Sequence, residues 1–217
     1  MIQKQPAQHL YAKMKMDIRD NQLPVAQPLK QEALSERYGV SRIPIRDVLQ
    51  RLKNEGWLIT SGKRGVMVPH LNAGEAEDLY LMRMYLEPLI LGHAIPKMTH
   101  QIIGKAADIL NEIDNQGDKL SIEESGELNW QFHACLYETA NRPTLFNTIS
   151  SLHQQCGRYI GFHSHHLDYL TTSQNEHYQL LEAVKEKQIN RAKNLVKAHI
   201  SDAGELLVAH LLQRLQF

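Results

Sequence analysis

The sequence predicts a mainly α-helical chain: an N-terminal winged helix-turn-helix joined to a C-terminal antiparallel bundle of about six helices. Three observations predict it. Before residue 70, a helical pattern is followed by a second one closed by Gly39, a third opened by Ser41, and two short apolar runs around a basic turn. From Asn72 onward apolar residues recur with helical period and no stretch alternates as a half-buried strand would. The charge divides at the same place. Residues 1–70 hold 12 Lys and Arg against 6 Asp and Glu, whereas residues 71–217 hold 12 against 18. A basic lobe beside an acidic one suits a polyanionic partner for the first lobe alone.

The first helix is expected over about residues 7–21, with Leu10, Met14 and Ile18 on one face. Leu23-Pro24 and Pro28 interrupt it. A second helix spans about 30–38 and ends at Gly39, because glycine reaches the left-handed backbone conformation that closes helices. Ser41 is a good cap for the third, and Pro44 falls in its first turn, where a missing N–H costs little. Ile45, Val48, Leu49 and Leu52 make one apolar stripe of that helix. Arg42, Arg46, Gln50 and Lys53 occupy a separate polar arc. A helix that buries one stripe and offers arginines from its first turns suits the DNA major groove, where guanidinium meets guanine O6 and N7 or phosphate. Residues 57–60 and 66–68 read as two strands around Ser61-Gly62-Lys63-Arg64-Gly65, a wing whose basic tip suits phosphate or the minor groove.

The run from Leu29 to Leu52, followed by Glu55-Gly56-Trp57-Leu58, closely resembles the DNA-binding signature of the GntR family of transcriptional regulators. The matching positions include Gly39-Val40-Ser41-Arg42, Pro44, Arg46, Leu49, Arg51-Leu52 and Glu55-Gly56. The resemblance implies that Ser41, Arg42, Pro44 and Arg46 contact DNA from the recognition helix, and Gly62, Lys63 and Arg64 from the wing. Glu32 stands where some members carry a DNA-contacting arginine, so no base contact is carried onto it.

Six helices are expected in the second domain, over about 72–95, 99–116, 121–140, 143–169, 173–187 and 189–214. Asn72 with Glu75 reads as a reciprocal capping pair, Pro88 as a kink, and Pro96, Pro143 and Thr171-Thr172-Ser173 as breaks. Asn129 and His133 are four apart and share a helix face. His177 and His199 lie on the last two helices at similar distances from a turn near Lys187, so at ~1.5 Å rise per residue they come level. Three imidazoles and one amide oxygen would then suit a divalent first-row metal, zinc first, with nickel or manganese as alternatives. His163, His165 and His166 form a local cluster to which no role attaches.

The same segments resemble the FCD-type ligand-binding domain of the FadR branch. Arg83 through Glu87, Asn129 through His133 with Asn141, Glu176-His177, and Ala192 through His199 carry the likeness. Six helices rather than seven resemble the VanR-like subgroup. Many such domains bind a metal through one aspartate and three histidines, and the metal helps hold an organic acid. Here Asn129 replaces the aspartate, giving a weaker, neutral oxygen donor and a more positive site. Arg83 is the first candidate for an effector carboxylate, with Arg158 as a second. An Arg83–Glu87 pair one turn apart on a helix surface is the competing reading for Arg83.

No apolar run approaches the ~18 residues of a membrane span, and the start lacks a secretory signal, so a soluble cytoplasmic chain is expected. The two cysteines, Cys135 and Cys156, cannot make a disulfide framework. The expectation is a sequence-specific DNA-binding homodimer, residues 1–70 binding an operator and residues 71–217 dimerising and binding a small carboxylate effector. The alternative is a metal-dependent enzyme using the histidine cluster; against it, no general base is placed beside the cluster by spacing.

Overall fold

The structure, a computed structural model, describes residues 7–62, 65–166 and 170–214. It divides between Leu71 and Asn72 into two compact units.

In the first unit, α1 (Ala7–Arg19), α2 (Gln31–Tyr38) and α3 (Arg42–Asn54) precede a hairpin of β1 (Ile59–Ser61) and β2 (Gly65–Met67). Leu10, Met14, Ile45, Leu52 and Trp57 are buried together at its centre. Gly39 closes α2 at φ +64°, and its N–H reaches the carbonyls of Ser35 and Glu36. A buried carboxylate ties α1 to α2: Asp17 accepts from the Tyr38 hydroxyl at 2.7 Å and from Arg37 at 3.1 Å. On the other side, the Arg51 guanidinium lies 3.7 Å from the Tyr11 ring centroid and bonds Glu55 at 2.9 Å.

Two expectations shift here. Trp57 and Leu58 are buried in the bend that leads into β1, so the strand begins at Ile59. Residues 23–28, read only as a break, also pair with the wing. Ala26 N–H donates to Val68 and Leu29 N–H to Val66, at 2.8 and 2.9 Å. The hairpin therefore gains a third chain segment along its base.

The second unit holds α4 (Ala73–Ala94), α5 (His100–Gln116), α6 (Ile122–Glu138), α7 (Pro143–His166), α8 (Leu170–Lys185) and α9 (Ile189–Arg214). Helix α4 packs against α9, α7 and α6, and α8 lies against α9 and α5. Helix α4 meets α9 closely at Gly204, where an added Cβ would stand 2.8 Å from the Cβ of Tyr80. Helix α4 runs continuously through Pro88.

The helix boundary expected at Thr171-Thr172-Ser173 falls a few residues earlier: α7 ends at His166 and α8 opens at Leu170. Thr171, Thr172 and Ser173 form the first turn of α8, where hydroxyl side chains suit the exposed N–H groups of a helix start. The capping pair at Asn72 is also only half made. The Asn72 side chain accepts from Glu75 N–H at 3.1 Å, but the Glu75 carboxylate turns to the Tyr159 hydroxyl at 2.6 Å. A complete reciprocal box occurs instead at Ser121 and Glu124, opening α6.

Replacing Gly204 by alanine is expected to destabilise the helical unit by about 1–3 kcal/mol, because the new methyl meets the root of a ring that cannot swing away. A lowered midpoint in urea unfolding checks it.

Candidate functional site

Two faces carry chemistry, one in each unit. In the first, α3 buries Ile45, Val48, Leu49 and Leu52 and leaves Arg42, Arg46 and Gln50 exposed. Ser41 occupies the cap position, yet its hydroxyl makes no capping bond and stays on the exposed side. Pro44 is half-buried in the first turn. The arginines are engaged by neighbours: Arg42 bonds Glu32 of α2, and Arg46 lies 3.4 Å from Asp47. All four of these side chains are more than half exposed, so the pairs are weak and readily exchanged for phosphate. Gly62 turns the hairpin at φ +61°. Lys63 and Arg64 lie outside the described residues.

Ile43 is a residue that sequence reasoning passed over. It stands 65% exposed between Arg42 and Pro44, and an aliphatic group at the start of such a helix suits a thymine methyl. The available signal was its failure to fit the apolar stripe.

In the second unit, α6, α8 and α9 bring His133, His177 and His199 together. One ring nitrogen from each lies within 4.8 Å of the others. The ring centroids are 5.1 Å apart for His133–His177, 5.5 Å for His133–His199 and 4.7 Å for His177–His199. All three are buried. Among the described residues, neither nitrogen of His177 has a hydrogen-bond partner, and neither does Nε2 of His133. Buried polar atoms without partners cost free energy, and three imidazoles aimed at one point offer lone pairs that a cation would satisfy. Burial, then the neighbouring imidazoles, hold His133 and His177 well below the ordinary imidazole pKa, so both are neutral, as ligation requires. The donor set thus fits a divalent metal. Asn129 is half-buried one turn before His133 on α6. The side chains of His163, His165 and His166 lie outside the described part.

Both candidate effector arginines are buried and already face carboxylates. Arg83 Nε donates to Glu87 at 2.6 Å, and Glu87 is wholly shielded from solvent. The i, i+4 pair therefore exists, but in the interior rather than on a helix surface. Burial works against the Arg83 charge, and the adjoining Glu87 carboxylate more than offsets it, so the guanidinium stays charged. Arg158 lies 3.6 Å from Glu75. Close by on α7, His153 lies against Trp130 with ring centroids 4.6 Å apart.

Comparison with known proteins names this combination. Residues 6–68 match the bacterial regulatory proteins of the gntR family, and residues 78–202 match the FCD domain. The Nta operon transcriptional regulator of Aminobacter aminovorans is 30% identical over 77% of this chain and 78% of that protein.

The chain belongs to the GntR family.

It is a DNA-binding transcriptional regulator with an FCD domain, and the FadR-type branch fits. Among its GntR relatives, the uncharacterised HTH-type transcriptional regulator YdhC of Bacillus subtilis is 26% identical over 94% of this chain and 91% of its own. The solved structure of Escherichia coli McbR/YncC superposes with a TM-score of 0.77 over 96% of this chain and 100% of that one; at 19% identity this speaks to the fold. A GntR family member from Pseudomonas syringae pv. tomato str. DC3000 gives 0.59 at 25% identity, over 98% of this chain and 90% of its own. The enzyme reading finds no support, since both matched domains and the named relatives are those of regulators.

Because His133 and His177 are kept neutral, the unfolded chain takes up protons that the folded chain refuses. Their contribution is complete above about pH 6.5 and is lost as pH falls below it, by up to about 1.4 kcal/mol per pH unit for each ring. Urea midpoints of chelator-treated protein should fall between pH 7.5 and 5.5. Substituting both histidines by asparagine should shrink that fall.

Proposed function

We propose that two copies of the chain bind a roughly palindromic operator, and that a small organic acid received at a divalent metal centre in the FCD domain sets the operator affinity. On this reading residues 1–70 are the DNA-binding domain and residues 71–217 the effector-binding and dimerisation domain. The protein works in the cytoplasm, where its DNA is.

The sensing half rests on one observation: three buried imidazoles converge within 4.8 Å, and among the described residues Nε2 of His133 and both ring nitrogens of His177 meet no hydrogen-bond partner. His133, His177 and His199 would hold the ion, with the Asn129 amide oxygen as fourth donor and zinc favoured over nickel or manganese. The ion would supply a positive centre for a carboxylate. Arg83 and Arg158 add two buried positive charges to the same domain. An acid would meet the terminal nitrogens of Arg83, because its Nε is committed to Glu87. The effector then needs only to favour one arrangement of the DNA-binding domains over the other. Six α-helices among the described residues of this domain support placement in the VanR-like subgroup.

Ser41, Arg42, Pro44 and Arg46 carry DNA contact from α3, with Gly62, Lys63 and Arg64 at the wing. Support comes from the exposed polar arc of α3 and from the two-fold logic of such operators, which need one recognition helix per half-site. A second copy also gives the exposed Leu81, Met82, Tyr85 and Leu89 of α4 a place to be buried.

Replacing Arg46 by alanine should weaken binding to a duplex selected from a random library by about 1–3 kcal/mol, and unchanged gel-shift titration would reject its role. For the sensor, metal analysis of the purified protein is joined to a thermal-shift screen of small carboxylates. Stabilisation by an acid that disappears on chelation supports the centre. Protein without metal, indifferent to substitution of His133, His177 and His199, removes it.

A further inference from the structure

We infer that Tyr137 and Glu87 are positioning residues that decide which nitrogen of His133 is offered at the metal centre; the inference rests on the metal reading above and adds to it how the ligand is prepared.

A chain of buried hydrogen bonds runs away from the three histidines. Arg83 Nε donates to Glu87 Oε1 at 2.6 Å. The Tyr137 hydroxyl donates to Glu87 Oε2 at 2.7 Å. The same hydroxyl oxygen lies 3.2 Å from His133 Nδ1. Tyr137 has one hydroxyl hydrogen, and the carboxylate, which cannot donate, takes it. Towards His133 the phenol oxygen can therefore only accept, so Nδ1 must carry the imidazole proton. An imidazole with its proton on Nδ1 offers its lone pair at Nε2, the atom that has no hydrogen-bond partner among the described residues. Each link constrains the next. The buried Arg83 guanidinium holds the Glu87 carboxylate in place, the carboxylate orients the phenol, and the phenol selects the tautomer.

A second histidine is handled in the same way by a different group. His199 Nδ1 lies 2.7 Å from Glu176 Oε2, which leaves Nε2 as its ligating nitrogen. Two of the three imidazoles thus present the same ring atom, one through a carboxylate directly and one through a phenol backed by a carboxylate. Such outer partners fix ring orientation and raise ligand basicity.

The test compares full-length wild type with Tyr137→Phe, which keeps the ring and removes the hydroxyl, and with Glu176→Gln as a parallel. Zinc affinity is read by competition with a chromogenic chelator, well below the melting temperature of each protein. Histidine tautomers in the metal-free proteins are read by long-range proton–nitrogen NMR. The expected results are His133 protonated at Nδ1 in the wild type, loss of that preference in Tyr137→Phe, and zinc binding weakened about ten- to a hundred-fold in both variants. His133 protonated at Nε2 in the wild type, or zinc bound as tightly by Tyr137→Phe as by wild type, overturns the inference. A wild type that takes up no zinc while His133 still carries its proton on Nδ1 overturns the metal reading instead, and the relay's service to a metal falls with it.

Discussion

A guanidinium shut away from water must have an anion beside it, and much of the polar interior of the helical domain follows from meeting that requirement at Arg83. Glu87 supplies the anion from the next turn of the same helix. Once buried, its second oxygen also needs a partner, which Tyr137 of α6 provides. That bond crosses from α4 to α6 and delivers the phenol to His133. Replacing such a pair with apolar side chains is often neutral for stability, whereas removing one member is costly. The pair is therefore better understood by what it orients than by what it stabilises.

The two domains treat their charges in opposite ways. In the helical domain Arg83 is buried against the buried Glu87, and the buried Arg158 reaches the half-exposed Glu75, both carboxylates on α4. In the winged domain Arg42 and Arg46 carry acidic neighbours in open solvent, where ion pairs are worth little. The exposed pairs keep the recognition helix from presenting bare positive charge while costing little to break. The buried Arg83–Glu87 pair is expensive to disturb, which suits residues that must hold a site in register.

Local chemistry made most of the architecture legible. Gly39, Ser41 and Pro44 set the ends of α2 and α3, and the stripe from Ile45 to Leu52 identified the buried side of α3. The histidine site was legible as well, because His177 and His199 lie on opposite arms of one tight helical hairpin and spacing alone brings them level. What the linear pattern could not disclose depends on partners far along the chain. The pairing of residues 25–28 with the wing is one case. Another is Glu75, which local rules assign to its own helix cap and which is drawn away by Tyr159 of α7. The relay through Tyr137 joins positions 50 residues apart, and no periodicity announces it.

The connection between α8 and α9 has a consequence for how this lineage can vary. Lys187, at φ +55°, reverses the chain in three residues between Lys185 and Ile189. His177 and His199 are measured off from that reversal like marks on two arms of a folded ruler. One residue more or less in α9 before His199 would swing its imidazole about 100° around the helix axis. The spacing on either side of the bend thus decides whether the imidazoles of His177 and His199 meet at all.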